Sequence, residues 1–222
     1  MPYDLYERHQ VVSTLLHERG VHTVLDVGGN LGVLTQFLNA DILTLNVGET
    51  ADLYYDGHTI PFEADRFDAV TSLDTLEHIP SADRLIFLQE CLRVTKRYLV
   101  VSAPYGSEEH RAYEKKLDAL YTQTFGVTHN YLNEHVRFGI PDQHDIEALV
   151  TSLALTKVVV YFAGDFEWQC RNFERLITSH RNNWVNHYIT WSSMALFHPI
   201  HLTTQPYRRA NRFYLYAEIQ AG

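Results

Sequence analysis

Apolar positions recur at helical spacing over residues 4–19, where Leu5, His9, Val12 and Leu16 share one side and Gly20 follows as a left-handed helix stop. The pattern then shortens to a strand, "HTVLDV", and a turn holding Gly28, Gly29, Asn30 and Gly32. Leu34, Phe37 and Leu38 return to helical spacing after it, which predicts a helix leaving the turn. "DILTLNV" predicts a second strand, "ADLYYD" a short third, and "FDAVTSLD" a buried fourth. A helix over 82–95 puts Leu85, Leu88 and Leu92 on one face, and "RYLVVSAP" is the next strand, ended by a proline. Strands alternating with helices require a parallel sheet covered on both faces. The expectation is an α/β fold of the Rossmann-like, doubly wound type, with a mostly parallel sheet.

The second half is less regular. Residues 108–123 predict a polar helix, and 124–140 a loop rich in His and Asn. Pro141 and Asp142 open a helix with Ile146, Leu149, Val150 and Leu153 on its apolar side, Asp142 being placed to cap the free N–H groups. "TKVVVYFAG" and "RFYLYAEIQ" are two further strands. Between them about 165–206 is too long for a hairpin connection. That stretch, with Trp168, Trp184 and Trp191, is expected to be a helical insertion serving as lid, dimer surface or extra core. Residues 1–222 are thus expected to form a single domain, with a homodimer among the assemblies the insertion allows.

Composition narrows the functions. A chain of 222 residues at 45% hydrophobic content supports one well-filled core. Its 18 basic against 27 acidic residues, net −9, form no cationic block, which argues against a nucleic-acid backbone as partner. No apolar window reaches membrane-spanning length and the N-terminus lacks a secretory pattern, so a cytoplasmic protein is expected. Cys91 and Cys170 lie far apart without CxxC spacing, which suggests neither a disulfide framework nor a zinc knuckle.

The glycine turn is the strongest chemical signal. Glycines at the first strand-to-helix turn let a backbone approach a ligand closely. Here they fall at 28, 29 and 32, out of register with the G-x-G-x-x-G of dinucleotide binders. From Asp26 through Gly32 the chain instead resembles the D-x-G-x-G-x-G turn of class I S-adenosylmethionine-dependent methyltransferases. "YYDGHTIPFEADRFDAVTSLDTLEHIP" (54–80) and "LRVTKRYLVVSAP" are similar to the passages that follow in that family, so the resemblance covers residues 20–105, in the manner of the group related to ubiquinone-biosynthesis methyltransferases. Residues 108–163 resemble, more loosely, a subgroup tied to glycan methylation. The resemblance implies S-adenosyl-L-methionine as cofactor, with Asp26 organising the turn and Gly28, Gly29 and Gly32 admitting the cofactor. It implies Asp56, beside Gly57, at the adenine amino group, and Leu73 and Asp74 beside the methionine part. Two positions depart from the pattern. Asn30 replaces the middle glycine, tolerable because asparagine accepts left-handed backbone. Asn46 stands where an acidic residue usually takes both ribose hydroxyls, an exchange expected to weaken binding by about 1–2 kcal/mol unless Glu49 substitutes.

Methyl transfer to an alcohol needs a positioned base as well as cofactor. His110 in "SEEHR", His135 in "NEHVR" and His78 in "LEHIP" are the candidates, with Tyr105, Glu109, His129 and Glu134 as further polar residues near the expected acceptor pocket. A divalent metal on His110, His129, Glu134 and His135 is chemically permissible, but no HxxxH spacing supports it and no metal is assigned. The expected activity is methyl transfer to a small-molecule or glycan acceptor at oxygen. Two alternatives remain: a methyltransferase-like binding protein without catalysis, which Asn30 and Asn46 favour, and an NAD-dependent oxidoreductase, which the glycine register disfavours.

Overall fold

A computed structural model of the chain describes residues 3–48, 50–178 and 200–219. Glu49, Trp184, Trp191 and the middle of the expected insertion lie outside the described residues. Seven strands form one sheet: β1 (Thr23–Val27), β2 (Asp41–Asn46), β3 (Leu53–Tyr54), β4 (Phe67–Leu73), β5 (Thr95–Pro104), β6 (Val158–Ala163) and β7 (Arg212–Glu218). Their spatial order is β3-β2-β1-β4-β5-β7-β6. Strands β1 to β5 pair in parallel with one another, and β7 runs antiparallel to both β5 and β6. This is the expected Rossmann-like sheet. Its order reverses between β1 and β4, so a crevice opens beyond their carboxyl ends.

Alternation along the strands divides the core. Leu25, Val27, Val70, Leu99, Val101, Phe213 and Leu215 face one side, where they pack with α2 (Arg84–Val94) through Phe87, Leu88 and Cys91, and with α5 (Gln143–Leu153) through Ile146 and Leu153. Val24, Ala69, Val100 and Tyr216 face the other, against Val12 and Leu16 of α1 (Tyr3–Leu16). Asp142 caps α5 as expected: its side chain accepts from Asp145 N–H while Asp145 returns a bond to the Asp142 N–H. A third cluster, Leu117, Leu132, Phe166, Cys170 and Ile177, joins α3 (Glu108–Phe125), α4 (Asn130–Phe138) and α6 (Phe166–Thr178). Through Leu117, Leu132 and Cys170 these three helices contribute to the walls of the crevice.

Two sequence expectations need correction. No full helix leaves the glycine turn; residues 34–36 make a single 3-10 turn. Gly32 is still in left-handed backbone (φ +75°) and β2 begins at Asp41 opposite Thr23, so residues 33–40 are all that is left for the crossover. The second correction is at 124–140, where α4 replaces the expected loop. Gly126 at φ +72° ends α3, the His129 side chain accepts from Leu132 N–H to start α4, and Gly139 at φ +75° stops it. Both bounding glycines stand in the sequence; its density of polar residues hides a helix that buries only Leu132.

Candidate active site

At the carboxyl end of β1 the turn is shaped by its own neighbours. Asp26 is buried and accepts a 2.7 Å hydrogen bond from Thr71 Oγ1; burial raises its carboxyl to about 6, with the Thr71 bond opposing. A Cβ at Gly29 would stand 2.0 Å from Asp26 Oδ2, and one at Gly28, where φ is +83°, 2.0 Å from Thr75 Oγ1. Glycine is therefore required at both positions before any ligand is considered. Gly32 is glycine for its positive φ alone, since nothing crowds it. Asn30 is not left-handed at all: positive φ in the turn falls on Gly28 and Gly32. It survives because its backbone is ordinary, and its side-chain oxygen accepts from the Thr50 hydroxyl.

Asn46 has a role the sequence did not disclose. Its Nδ2 donates to Gly28 O (3.0 Å) and Gly29 O (3.2 Å), and its Oδ1 accepts from Gly48 N–H (3.3 Å). The amide pins the glycine turn to the end of β2, a role that needs a donor. Asp56 and Gly57 lie on the loop after β3. Asp56 Oδ1 accepts from His58 N–H at 2.9 Å and Thr59 N–H at 3.4 Å, and the loop abuts the crevice through Val47, whose Cγ1 would lie 3.4 Å from a Cβ on Gly57.

The crevice is a cavity of about 780 Å³. Gly28, Asn30, Asn46, Val47 and Thr50 line one end, Leu73, Asp74, Arg8 and Arg212 the middle, and His78, His110, Glu114 and His135 the other end. Asp26, Gly29, Gly32, Asp56 and Gly57 are not in its wall.

The middle is a charge network assembled from three distant segments. Asp74, at the end of β4 with φ +52°, is held by Arg8 from α1 and Arg212 from β7. Arg212, only 2% exposed, also reaches Asp4 Oδ1 at 2.7 Å and Ser102 Oγ at 3.2 Å. Burial alone would raise the Asp74 carboxyl; the two guanidinium groups outweigh it and hold it well below the usual range. Arg8 Nε is buried without a hydrogen-bond partner among the described residues.

At the far end all three candidate histidines meet. His110 is buried, stacked on Phe166 at 4.7 Å, with Nδ1 placed 2.9 Å from Tyr105 O. That carbonyl can only accept, so Nδ1 carries the proton and Nε2 keeps a lone pair. Burial lowers its pKa against the opposing pull of Glu114, whose Oε1 lies 3.6 Å from Nε2. His135 Nδ1 lies 3.0 and 3.1 Å from the Glu114 oxygens, and His78 Nδ1 2.7 Å from Glu134 Oε2. Glu77, 1% exposed, sits between them; burial, reinforced by Asp74, pushes its carboxyl up to about 8. Glu77 and Glu114 were not among the expected site residues, although His110 and Glu114 stand four apart on one helix face. Three polar candidates fall elsewhere: His129 caps α4, Glu109 pairs with Arg208 at 3.0 Å, and the Tyr105 ring packs on Phe162.

Residues 25–100 match the family described as a methyltransferase domain. No curated protein sequence matches the chain. Among solved structures, a protein assigned as a sarcosine dimethylglycine methyltransferase of Galdieria sulphuraria is 14% identical, with 97% of this chain and 84% of that one covered at a TM-score of 0.57. The [4+2]-cyclase SpnF is 14% identical, covering 96% and 81%, with a TM-score of 0.55. Phosphoethanolamine N-methyltransferase 2 of Haemonchus contortus, solved with phosphomonomethylethanolamine and S-adenosylhomocysteine, is 12% identical over 92% of this chain and 52% of that one, with a TM-score of 0.52. At such identities the likeness is one of fold. Among the described residues no helix is long and apolar enough to cross a membrane.

Proposed function

We propose that residues 1–222, of which 25–100 match a methyltransferase-domain family, work as one S-adenosylmethionine-dependent unit that methylates a hydroxyl oxygen of a small-molecule or glycan acceptor. The observation that carries this reading is the single cavity joining the glycine turn to the histidine cluster. Its volume of about 780 Å³ suits a cofactor with a modest acceptor beside it. The residues present fit S-adenosylmethionine. The end built by Asn30, Asn46, Val47 and Thr50 would take the nucleoside, with Asp56 Oδ2 offered to the adenine amino group from the neighbouring loop. Arg8, whose Nε has no hydrogen-bond partner among the described residues, would take the carboxylate of the methionine part.

Bound there, the cofactor supplies an electrophilic methyl group on a sulfonium. The protein's own work is to orient the acceptor, exclude water and remove a proton. His110 suits proton removal, being neutral, buried in the cavity wall, and fixed by the Tyr105 carbonyl in the tautomer whose Nε2 accepts. His110 Nε2 would take the proton of the acceptor hydroxyl as that oxygen displaced the methyl group from sulfur, the electron pair of the broken carbon–sulfur bond staying with S-adenosylhomocysteine as leaving group. His135 is less suited, because Glu114 on its Nδ1 raises its pKa despite burial, so a proton competes for Nε2.

Calorimetric titration with S-adenosylmethionine and S-adenosylhomocysteine, with NADH as control, tests the cofactor half. Micromolar binding of the first two alone is expected, and binding of NADH alone would overturn the reading. A screen of sugars, phenols and amines for S-adenosylhomocysteine release tests the acceptor half. Turnover confined to amines would refute transfer to oxygen. With an active acceptor, His110→Ala should lower the transfer rate about a hundredfold or more while leaving cofactor affinity in place.

A further inference from the structure

Glu77, His78 and His135 approach one another at the acceptor end of the cavity in a way that hydrogen bonding among them does not explain. Glu77 and His78 belong to the 3-10 turn after β4, and His135 to α4. Glu77 Oε1 lies 4.0 Å from His78 Nε2 and 4.0 Å from His135 Nε2, and one ligand atom from each residue falls within 4.8 Å of the other two. In each imidazole the opposite nitrogen is engaged by a carboxylate, Glu134 for His78 and Glu114 for His135. Carboxylates in that position hold Nδ1–H and turn both Nε2 lone pairs toward the same space. Metal-binding histidines are oriented in this manner. A second observation is independent of the spacing. Glu77 Oε2 and His135 Nε2 are both buried and have no hydrogen-bond partner among the described residues. Polar atoms left so are costly, and a cation bound by His135 Nε2 and the Glu77 carboxylate relieves that cost.

We infer that Glu77, His78 and His135 form a binding site for one divalent transition-metal ion. Two imidazoles and a carboxylate suit zinc, iron(II), cobalt(II) or nickel(II), whereas magnesium and calcium favour oxygen-only sets. Ligands arranged tetrahedrally at about 2.1 Å from a metal lie about 3.4 Å apart, so the three side chains need move inward by only a fraction of a bond length. Three protein ligands leave a position open to the cavity. Resting on the methyl-transfer reading, that position takes the acceptor hydroxyl and lowers its pKa, while His110, outside the trio, receives the proton. Asp142, His144 and Asp145 also cluster, but their carboxylates are committed to the α5 cap and to Arg111.

The test uses the metal alone, without cofactor or acceptor, so it is decided whether or not methyl transfer is found. Chelator-stripped full-length protein is titrated with cobalt(II), followed by visible absorption and calorimetry, then back-titrated with zinc(II). One equivalent bound at micromolar affinity, with absorption bands of a low-coordinate site that zinc abolishes, is expected. Glu77→Gln and His135→Ala should each weaken binding more than tenfold, Glu114→Gln about tenfold through its loss of hold on His135, and exposed His144→Ala not at all. Glu114→Gln decides the matter if the ligand variants do not fold. No binding below millimolar cobalt, or binding lost in His144→Ala but kept in Glu77→Gln, overturns the proposal.

Discussion

Asn46→Asp is the substitution at which the family pattern and this structure disagree most sharply. The pattern favours the carboxylate, which would accept from two ribose hydroxyls. The structure has Nδ2 donating to Gly28 O at 3.0 Å and Gly29 O at 3.2 Å. A carboxylate can donate neither bond and sets negative charge against two carbonyl oxygens. At about 1 kcal/mol for each lost bond the fold without cofactor should lose about 2 kcal/mol. For a chain of this size that is a fall in Tm of about 4–8 °C. Asn46→Ala removes the same two donors without adding charge, so the difference between the two variants reports the repulsion. Protonating the introduced carboxyl restores one donor, so the deficit of Asn46→Asp relative to Asn46→Ala should shrink as pH falls through the carboxylate range. In calorimetry, whatever a ribose contact gains must first re-form the turn, and affinity for S-adenosylmethionine should not rise. An unchanged Tm together with tighter binding would refute the reasoning, and would mean that the turn holds without Asn46.

Three further outcomes are expected. Gly28→Ala combines a left-handed φ of +83° with a Cβ 2.0 Å from Thr75 Oγ1, and should cost about 1–3 kcal/mol in thermal unfolding and abolish cofactor binding; wild-type affinity would remove the turn from the site. Glu7, buried beside Gly164 with neither oxygen hydrogen-bonded among the described residues, has its carboxyl raised by burial from 4.5 to about 7. Because its folded pKa exceeds the unfolded one, the stability it contributes is present below about pH 4.5 and lost as pH rises through 7. Glu7→Gln should therefore be the more stable protein at pH 8, by up to about 3 kcal/mol, with the gain vanishing near pH 4.5; a pH-independent difference would refute this. Arg212→Met removes the more deeply buried of the two guanidinium groups that bridge Asp4 and Asp74 and should cost about 3–5 kcal/mol, part of it recovered by adding Asp74→Asn; a loss under about 1 kcal/mol in denaturant unfolding would show that Arg8 alone neutralises the pair.

How far the sequence foretold this arrangement depends on how local each feature is. Strands β1, β4 and β5 are apolar runs buried on both faces, and neighbours along the chain suffice to mark them. The cap of α5 needs only Asp142 and Asp145, three residues apart, and is legible for the same reason. The helix expected after the glycine turn fails because its fate is set by where β2 must begin, a constraint of the sheet rather than of residues 33–40. The roles of polar residues are least legible, because each is decided by a partner remote in sequence. Asn46 looks like a damaged ribose ligand until Gly28 O and Gly29 O stand beside its Nδ2. Arg212 looks like one basic residue opening a strand until Asp4 and Asp74 surround it. The histidines at 78, 110 and 135 are candidates by type and neighbourhood, and they do converge, but what separates them is the group on Nδ1: a backbone carbonyl for His110, Glu134 for His78 and Glu114 for His135. A carbonyl fixes the tautomer while burial lowers the pKa, whereas a carboxylate supports either an imidazolium or a metal ligand. Residue type alone can nominate the cluster, and the proposed division into one proton acceptor and two side chains suited to a cation rests on the partners.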